Sequence, residues 1–246
     1  MRTMKTALIL GATSDIANAC SEQLAQQGYS LQLAGRSEAS LNTIKSDLEI
    51  RFKASVSAHI FDALDFKSHA KFYADLRTSP DLVICAFGIL GDQTKAESDW
   101  ELCKEIMDAN FTGAVSILNI AANDMVEKKS GTIVGISSVA GERGRMSNYI
   151  YGSAKAGFTA YLSGLRNRLQ KVGVHVLTVK PGFVQTKMTE GLPLPKPLTA
   201  LPEQVAKGII KAVKKGTNEV YILGIWRLIM LIIRTIPEFV FKKLRM

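Results

Sequence analysis

The stretch ILGATSDIANAC, residues 9–20, decides the fold. It continues the apolar run TALIL (6–10) and opens the helix-like segment IANACSEQLAQQG (16–28). Strand, glycine turn and helix in that order are the parts of a dinucleotide-binding unit. Such loops usually carry three glycines. Here only Gly11 stands where one is expected, with Asp15 and Ala17 in the other two places.

Working outward, strand and helix signals alternate along the whole chain, as they do when crossover helices join parallel strands. Strands are predicted at 5–10, 30–34, 56–61, 81–86, 131–137, 173–179 and 219–223. Helices are predicted at 15–27, 38–51, 67–77, 98–126, 150–171 and 202–215. Several strands are unbroken β-branched runs, as expected when both faces are covered. The expectation is an α/β, Rossmann-type doubly wound parallel sheet of about seven strands with helices on both faces. No linker or repeat divides it, so residues 1–223 read as a single domain and 224–246 as an appended tail.

Four of the seven prolines fall in GLPLPKPLTALP, residues 191–202, which excludes a helix interior or a central strand there. The segment is either a substrate loop or a stiff surface connection. The chain has 246 residues, 47% hydrophobic and 22% charged, an ordinary balance for a folded domain. Three widely spaced cysteines (Cys20, Cys85, Cys103) suggest no disulfide framework, and the three histidines stand too far apart for a zinc site. A reducing cytoplasm is the expected location, since ALIL (7–10) is too short for a signal-peptide core. The net charge of +9 is dispersed without interleaved aromatics, which argues against nucleic acid and for phosphorylated cofactors or an anionic membrane surface.

The chemistry is carried by SSVAGERGRMSNYIYGSAKAG, residues 137–157. Tyr151 and Lys155 are four apart at the start of a helix-like run and share one face. Ser138 lies near the end of a predicted strand, where open α/β sheets place their ligands. This pattern resembles the short-chain dehydrogenase/reductase superfamily, whose site adds an upstream asparagine, matched by Asn110, and a Pro-Gly, matched by Pro181 and Gly182.

The resemblance implies that Tyr151 exchanges a proton with the carbonyl oxygen and that Ser138 hydrogen-bonds it. Lys155 would lower the tyrosine pKa and grip the nicotinamide ribose; Asn110 would support a water leading to Lys155. It also places the cofactor on Gly11, Thr13, Ser14, Asp15 and Ile16, on Arg36 and Ser37, and on Asp62 and Ala63. Gly88, Tyr151, Lys155, Pro181, Gly182, Val184 and Thr186 complete that set. Asp15 is tolerable near a pyrophosphate if it points away and caps the helix. Arg36, with no acid at the second strand's end, favours NADP(H) over NAD(H), because a guanidinium suits a 2′-phosphate. CAFG, 85–88, departs from the superfamily's usual N-N-A-G.

Phrases such as AFGILGD (86–92), SSVAGERGR (137–145) and RLIMLIIRTIPEFVFKKL (227–244) resemble a narrower branch, the 2-keto-pentofuranose 2-reductases of decaprenylphosphoryl-ribose epimerisation. That branch implies a keto-sugar on a polyprenyl phosphate. The alternatives are a 3-oxoacyl-thioester or other small-carbonyl reductase, and a non-catalytic NADP-sensing protein; a homo-oligomer or a partner oxidase subunit is expected. Arg143 and Arg145 are either ligands of a substrate phosphate or a solvated loop balanced by Glu142. The tail carries Arg227, Arg234, Lys242, Lys243 and Arg245 against Glu238, with Trp226, Phe239 and Phe241. It is too interrupted to span a bilayer; it lies on the inner membrane face, packs on the domain or seals an oligomer interface.

Overall fold

The computed structural model describes residues 5–244. In chain order the elements begin β1 (Thr6–Leu10), α1 (Asp15–Gln26), β2 (Ser30–Gly35), α2 (Glu38–Phe52), β3 (Val56–Ile60) and α3 (His69–Ala74). There follow β4 (Leu82–Cys85), α4 (Gln93–Ala96), α5 (Trp100–Met107), α6 (Gly113–Lys128), β5 (Gly131–Ile136) and α7 (Tyr149–Leu169). The last are β6 (Val174–Pro181), β7 (Phe183–Val184), β8 (Thr199–Ala200), α8 (Pro202–Lys215), β9 (Glu219–Ile222), α9 (Ile225–Thr235) and α10 (Glu238–Phe241).

Seven strands form one parallel sheet in the order β3-β2-β1-β4-β5-β6-β9. Each strand residue faces the side opposite its neighbour's, so the sheet feeds two cores. Ala7 and Ile9 of β1 with Leu82 and Ile84 of β4 meet α1, α2 and α8 on one face. Leu8, Leu10, Val83 and Cys85 meet α3, α6 and α7 on the other. This is why β1 beyond Thr6 and all of β4 are apolar, and both strands are buried. Burying a leucine or isoleucine side chain contributes ~1.5–3 kcal/mol, so these strands anchor the sheet. The chain turns one way from β1 to β3 and the other way from β4 onward; the crevice between β1 and β4 is therefore where such a sheet admits a ligand.

The helix expected over 98–126 is instead α5 and α6 with a π-helical turn at Asp108–Thr112 between them, preceded by the short α4. Asp92 and Asp99 start α4 and α5 by accepting from the Lys95 and Leu102 amides, at 3.1 Å each. The tail is ordered helix. Trp226, Met230 and Ile233 of α9 pack against Val139, Phe183 and Leu198, while Leu228, Leu231 and Ile232 face outward. No helix among the described residues is long and apolar enough to cross a membrane. Arg245, counted in the tail, lies outside the described residues.

Candidate active site

The ends of β1 to β6 open onto a cavity of about 420 Å³. Its first wall is the glycine loop. Gly11 has φ +79, and a Cβ there would come 2.8 Å from the Phe87 backbone, so the tight approach of the two strand ends requires glycine. Ser14, not Asp15, is the N-cap of α1: its hydroxyl accepts from the Ala17 amide at 3.3 Å. Asp15 occupies the first helical turn, and its carboxylate accepts from the backbone N–H of Lys187 at 2.8 Å. The acid thus binds the segment after β7, although it too lines the cavity.

Beyond β2, Arg36 lines the cavity and is exposed, with no carboxylate at the strand end. Ser37 is not among the lining residues; its hydroxyl caps α2 by accepting from the Ser40 amide at 3.3 Å. At the end of β3 the Asp62 carboxylate accepts from Leu64 N–H at 2.9 Å, and buried His69 bonds the Asp62 carbonyl at 2.9 Å from below. Ala63, Gly88, Pro181, Gly182, Val184 and Thr186 line the same cavity, as do Thr13, Ser14 and Ile16. The open backbone of the first loop, its two hydroxyls and the adjacent cation suit a dinucleotide's phosphates.

The chemical groups converge where β5 meets α7. Ser138 leaves β5 in extended conformation and caps a 3-10 turn, Val139–Glu142, accepting from the Ala140 amide at 3.1 Å. A Cβ on Gly141 would lie 2.7 Å from the backbone of α7, and one on Gly152 2.9 Å from the Ala140 carbonyl. These two glycines let the turn sit against the first turns of α7, and so bring Ser138 to Tyr151. Lys155, 4% exposed, lies beneath and donates to the Ile136 carbonyl at 3.1 Å. Its ammonium is 5.7 Å from the Tyr151 ring centre.

Electrostatics at this point differ from the sequence expectation. Burial pushes the Tyr151 hydroxyl up to about 12, and the hydrogen bond with Ser138, not the lysine charge, pulls it down. Burial also lowers Lys155 to about 8, with the Cys85 thiol opposing that shift. Burial is the larger cause for both groups, and the ammonium donates to the Ile136 carbonyl.

Asn110 sits in the π turn and is 1% exposed. Its amide donates to the Ile89 and Ile106 carbonyls at 2.6 and 2.8 Å, which leaves its oxygen buried without a partner. A Cβ on Gly88 would lie on that oxygen and 3.4 Å from Lys155 Nζ. The unpaired acceptor therefore faces the lysine side, where a water or hydroxyl can complete it.

The second wall comes from remote segments. Lys187, Met188, Thr189 and Leu192 line it, and Trp226 closes it from the tail. Trp226 donates to the Leu198 carbonyl at 3.1 Å and presses on Gly182, where no Cβ would fit. The proline-rich segment is thus part cavity wall, through Leu192, and part strap, with β8 paired to β7. Trp226 was missed as a site residue; a lone tryptophan after the last strand carries no motif.

The two arginines separate. Arg143 does not reach the cavity. It donates to the Ile233 and Ile236 carbonyls at 2.6 Å each, pairs with Glu238 at 2.8 Å and stacks on Phe241. Carbonyls at a helix end attract a cation, and the tail supplies them. Arg145 does line the cavity, where burial lowers its pKa. Glu142 serves neither as a close partner. It takes Lys180 at 3.0 Å and the Tyr221 hydroxyl.

A doubly wound parallel sheet that brings serine, tyrosine and lysine into one cavity at its C-terminal edge defines the class, an α/β oxidoreductase. The chain belongs to the short chain dehydrogenase family, which matches residues 5–196. It is 36% identical over 240 residues, 96% of each chain, to an uncharacterised oxidoreductase of Mycobacterium tuberculosis. Its fold is similar to that of an actinorhodin polyketide ketoreductase solved with NADPH, with TM-score 0.82, 21% identity and coverage of 91% and 97%. It is similar also to a short chain dehydrogenase of Burkholderia cenocepacia solved with NADP, with TM-score 0.84, 20% identity and coverage of 99% and 98%.

Proposed function

We propose that this oxidoreductase is an NADP(H)-dependent reductase of a ketone or keto-sugar, with Tyr151 as the proton donor. The observation that carries the reading is the convergence of the Ser138 and Tyr151 hydroxyls, buried Lys155 and the unpaired Asn110 oxygen on one cavity. Ketone, NADPH and a proton give alcohol and NADP+; when bound, the nicotinamide supplies the hydride.

The chain supplies the rest. Tyr151, held neutral by burial, donates its proton to the carbonyl oxygen as charge develops there. Ser138 shares the Tyr151 hydrogen bond and stabilises that oxygen. Lys155 holds the ribose hydroxyls and, through a water on Asn110, reprotonates the tyrosine. Gly11 to Ile16, Arg36, Asp62, Ala63, Gly88 and the 181–186 segment hold the remainder of the cofactor, Arg36 reading the 2′-phosphate. The 1–223 unit performs the chemistry and the tail closes it, alone or in an oligomer.

A polyprenyl-phosphate-linked substrate is supported by the tail's outer face. Leu228, Leu231 and Ile232 are more than half exposed, and Arg227, Arg234, Lys242 and Lys243 are exposed beside them. A helix of this kind lies on an anionic lipid surface, each cation contributing ~1 kcal/mol. Vesicles of anionic lipid should sediment the full chain at low salt and lose it on L228E/L231E; equal recovery of both in the supernatant removes the lipid-linked substrate. The deciding test of the function is NADPH oxidation with keto-sugar phosphates and acetoacetyl thioesters, with and without detergent. Turnover of the thioesters alone replaces the sugar by a 3-oxoacyl substrate. Absence of oxidation with both classes argues against the reductase reading.

A further inference from the structure

Arg145 is the cation in the cavity that its surroundings leave unfinished. A guanidinium offers five N–H donors in a planar fork and stays charged at all working pH. The Arg145 Nε is buried without a hydrogen-bond partner, and Nη2 reaches only the Met230 sulfur at 3.2 Å. A thioether is a weak acceptor, and no carboxylate makes an ion pair with Arg145 among the described residues. Glu142, the nearest acid in sequence, gives one oxygen to Lys180 and Tyr221; its charge favours the Arg145 cation, but it forms no ion pair with it.

Arg143 shows that the same loop can pair an arginine well, with three carbonyls and Glu238. Burying an unpaired cation is costly, so its retention at a cavity wall needs a ligand that completes it. The Asn148 side-chain oxygen, on the same wall, is also buried and unpartnered, yet it does not bond Arg145. The cavity wall also carries Lys187, with Asp15 bonded to its amide, while Asp62 and Glu105 are the other carboxylates of the lining; none of the three pairs with Arg145.

Resting on the reductase reading, we propose that Arg145 is the residue that receives an anionic group of the substrate, so that the ketone reduced here carries a phosphate or a carboxylate. The two oxygens of either group match the guanidinium fork. Asn148 then meets a neighbouring polar group of the same molecule.

The test uses the NADPH-loaded full chain, so that the cofactor's own phosphate sites are filled. Two matched pairs are compared by kcat/KM: hydroxyacetone phosphate with hydroxyacetone, and levulinate with levulinamide. The wild type should prefer the charged member of at least one pair, which identifies phosphate or carboxylate as the group read. In Arg145→Met that preference should fall at least tenfold, and Arg145→Lys should retain part of it. In parallel, inorganic phosphate and acetate should raise the melting temperature of the wild type more than that of Arg145→Met. If neither pair is reduced, the reductase reading rests on the keto-sugar and thioester assays, and the melting shifts alone decide Arg145. Equal shifts in wild type and Arg145→Met, or equal loss on charged and neutral ketones, overturn the assignment.

Discussion

The half of the cavity that the proposed function assigns to the cofactor and the half it assigns to the substrate are built by different means. The first is backbone: the loops after β1, β2, β3 and β4, fixed by the sheet and by Gly11 against Phe87. The second is held by side chains reaching across long chain separations, with Asp15 holding the Lys187 amide, Trp226 on Gly182 and, from outside the cavity, Arg143 on the end of α9. Backbone walls tolerate few changes and suit a constant ligand. Side-chain walls can be re-cut without disturbing the sheet and suit a substrate that differs among relatives. The hydroxyls of Ser138 and Tyr151 lie on the boundary.

The largest effect expected on this division is at the boundary. Lys155→Ala should reduce turnover by two to four orders of magnitude, the usual scale of lost acid–base assistance, and should weaken NADPH binding as well. Steady-state kinetics with a fluorescence titration of NADPH checks both; loss of turnover with unchanged affinity removes Lys155 from the cofactor half. Arg143→Met should act only on the substrate half. Losing charge-assisted bonds to three carbonyls should open α9 by ~1.5–3 kcal/mol, read as faster amide hydrogen exchange confined to α9 and α10. Faster exchange in α1 would merge the two halves.

Arg36→Ala should weaken NADPH by ~1.5–3 kcal/mol and leave NADH nearly unchanged, since the loss is that of a charged hydrogen bond. Equal losses for both cofactors show that Arg36 does not read the 2′-phosphate. The smallest effect is that of pH. Burial lowers Lys155 from the ordinary lysine value of 10.5 to about 8, so its charge is present below that value and lost above it. Tyr151, near 12, remains protonated throughout. kcat/KM for NADPH in reduction should be level at neutral pH and fall above pH ~8. A level profile to pH ~10 shows that Lys155 does not govern it.

The parts legible in the sequence are those whose neighbours are close along the chain. Gly11 is announced by the strand before it and the helix after it, and Lys155 by its place one turn beyond Tyr151. Ser138 follows from its strand end. Arg143 reads in the sequence as either a substrate ligand or a solvated loop residue, because its partners at Ile233 and beyond lie 90 positions away and leave no local signature. The sequence offers Asp15 only a helix cap as a way to turn from a pyrophosphate, for the same reason, its partner amide being 172 positions distant. The π turn at Asn110 was hidden inside a continuous apolar helix pattern, because one widened turn scarcely alters the periodicity. The tail is legible as amphipathic, but it takes the packing of Trp226, Met230 and Ile233 to show which face turns inward.

The central claim is that Tyr151 gives the proton while the cofactor half stands independent of it. Tyr151→Phe removes one hydroxyl at the boundary, and the measurement is NADPH-dependent turnover beside NADPH affinity in the same preparation. The account predicts turnover lost by far more than tenfold, ~1.4 kcal/mol of barrier, with affinity nearly unchanged. A loss below tenfold, or a parallel loss of NADPH binding, contradicts it.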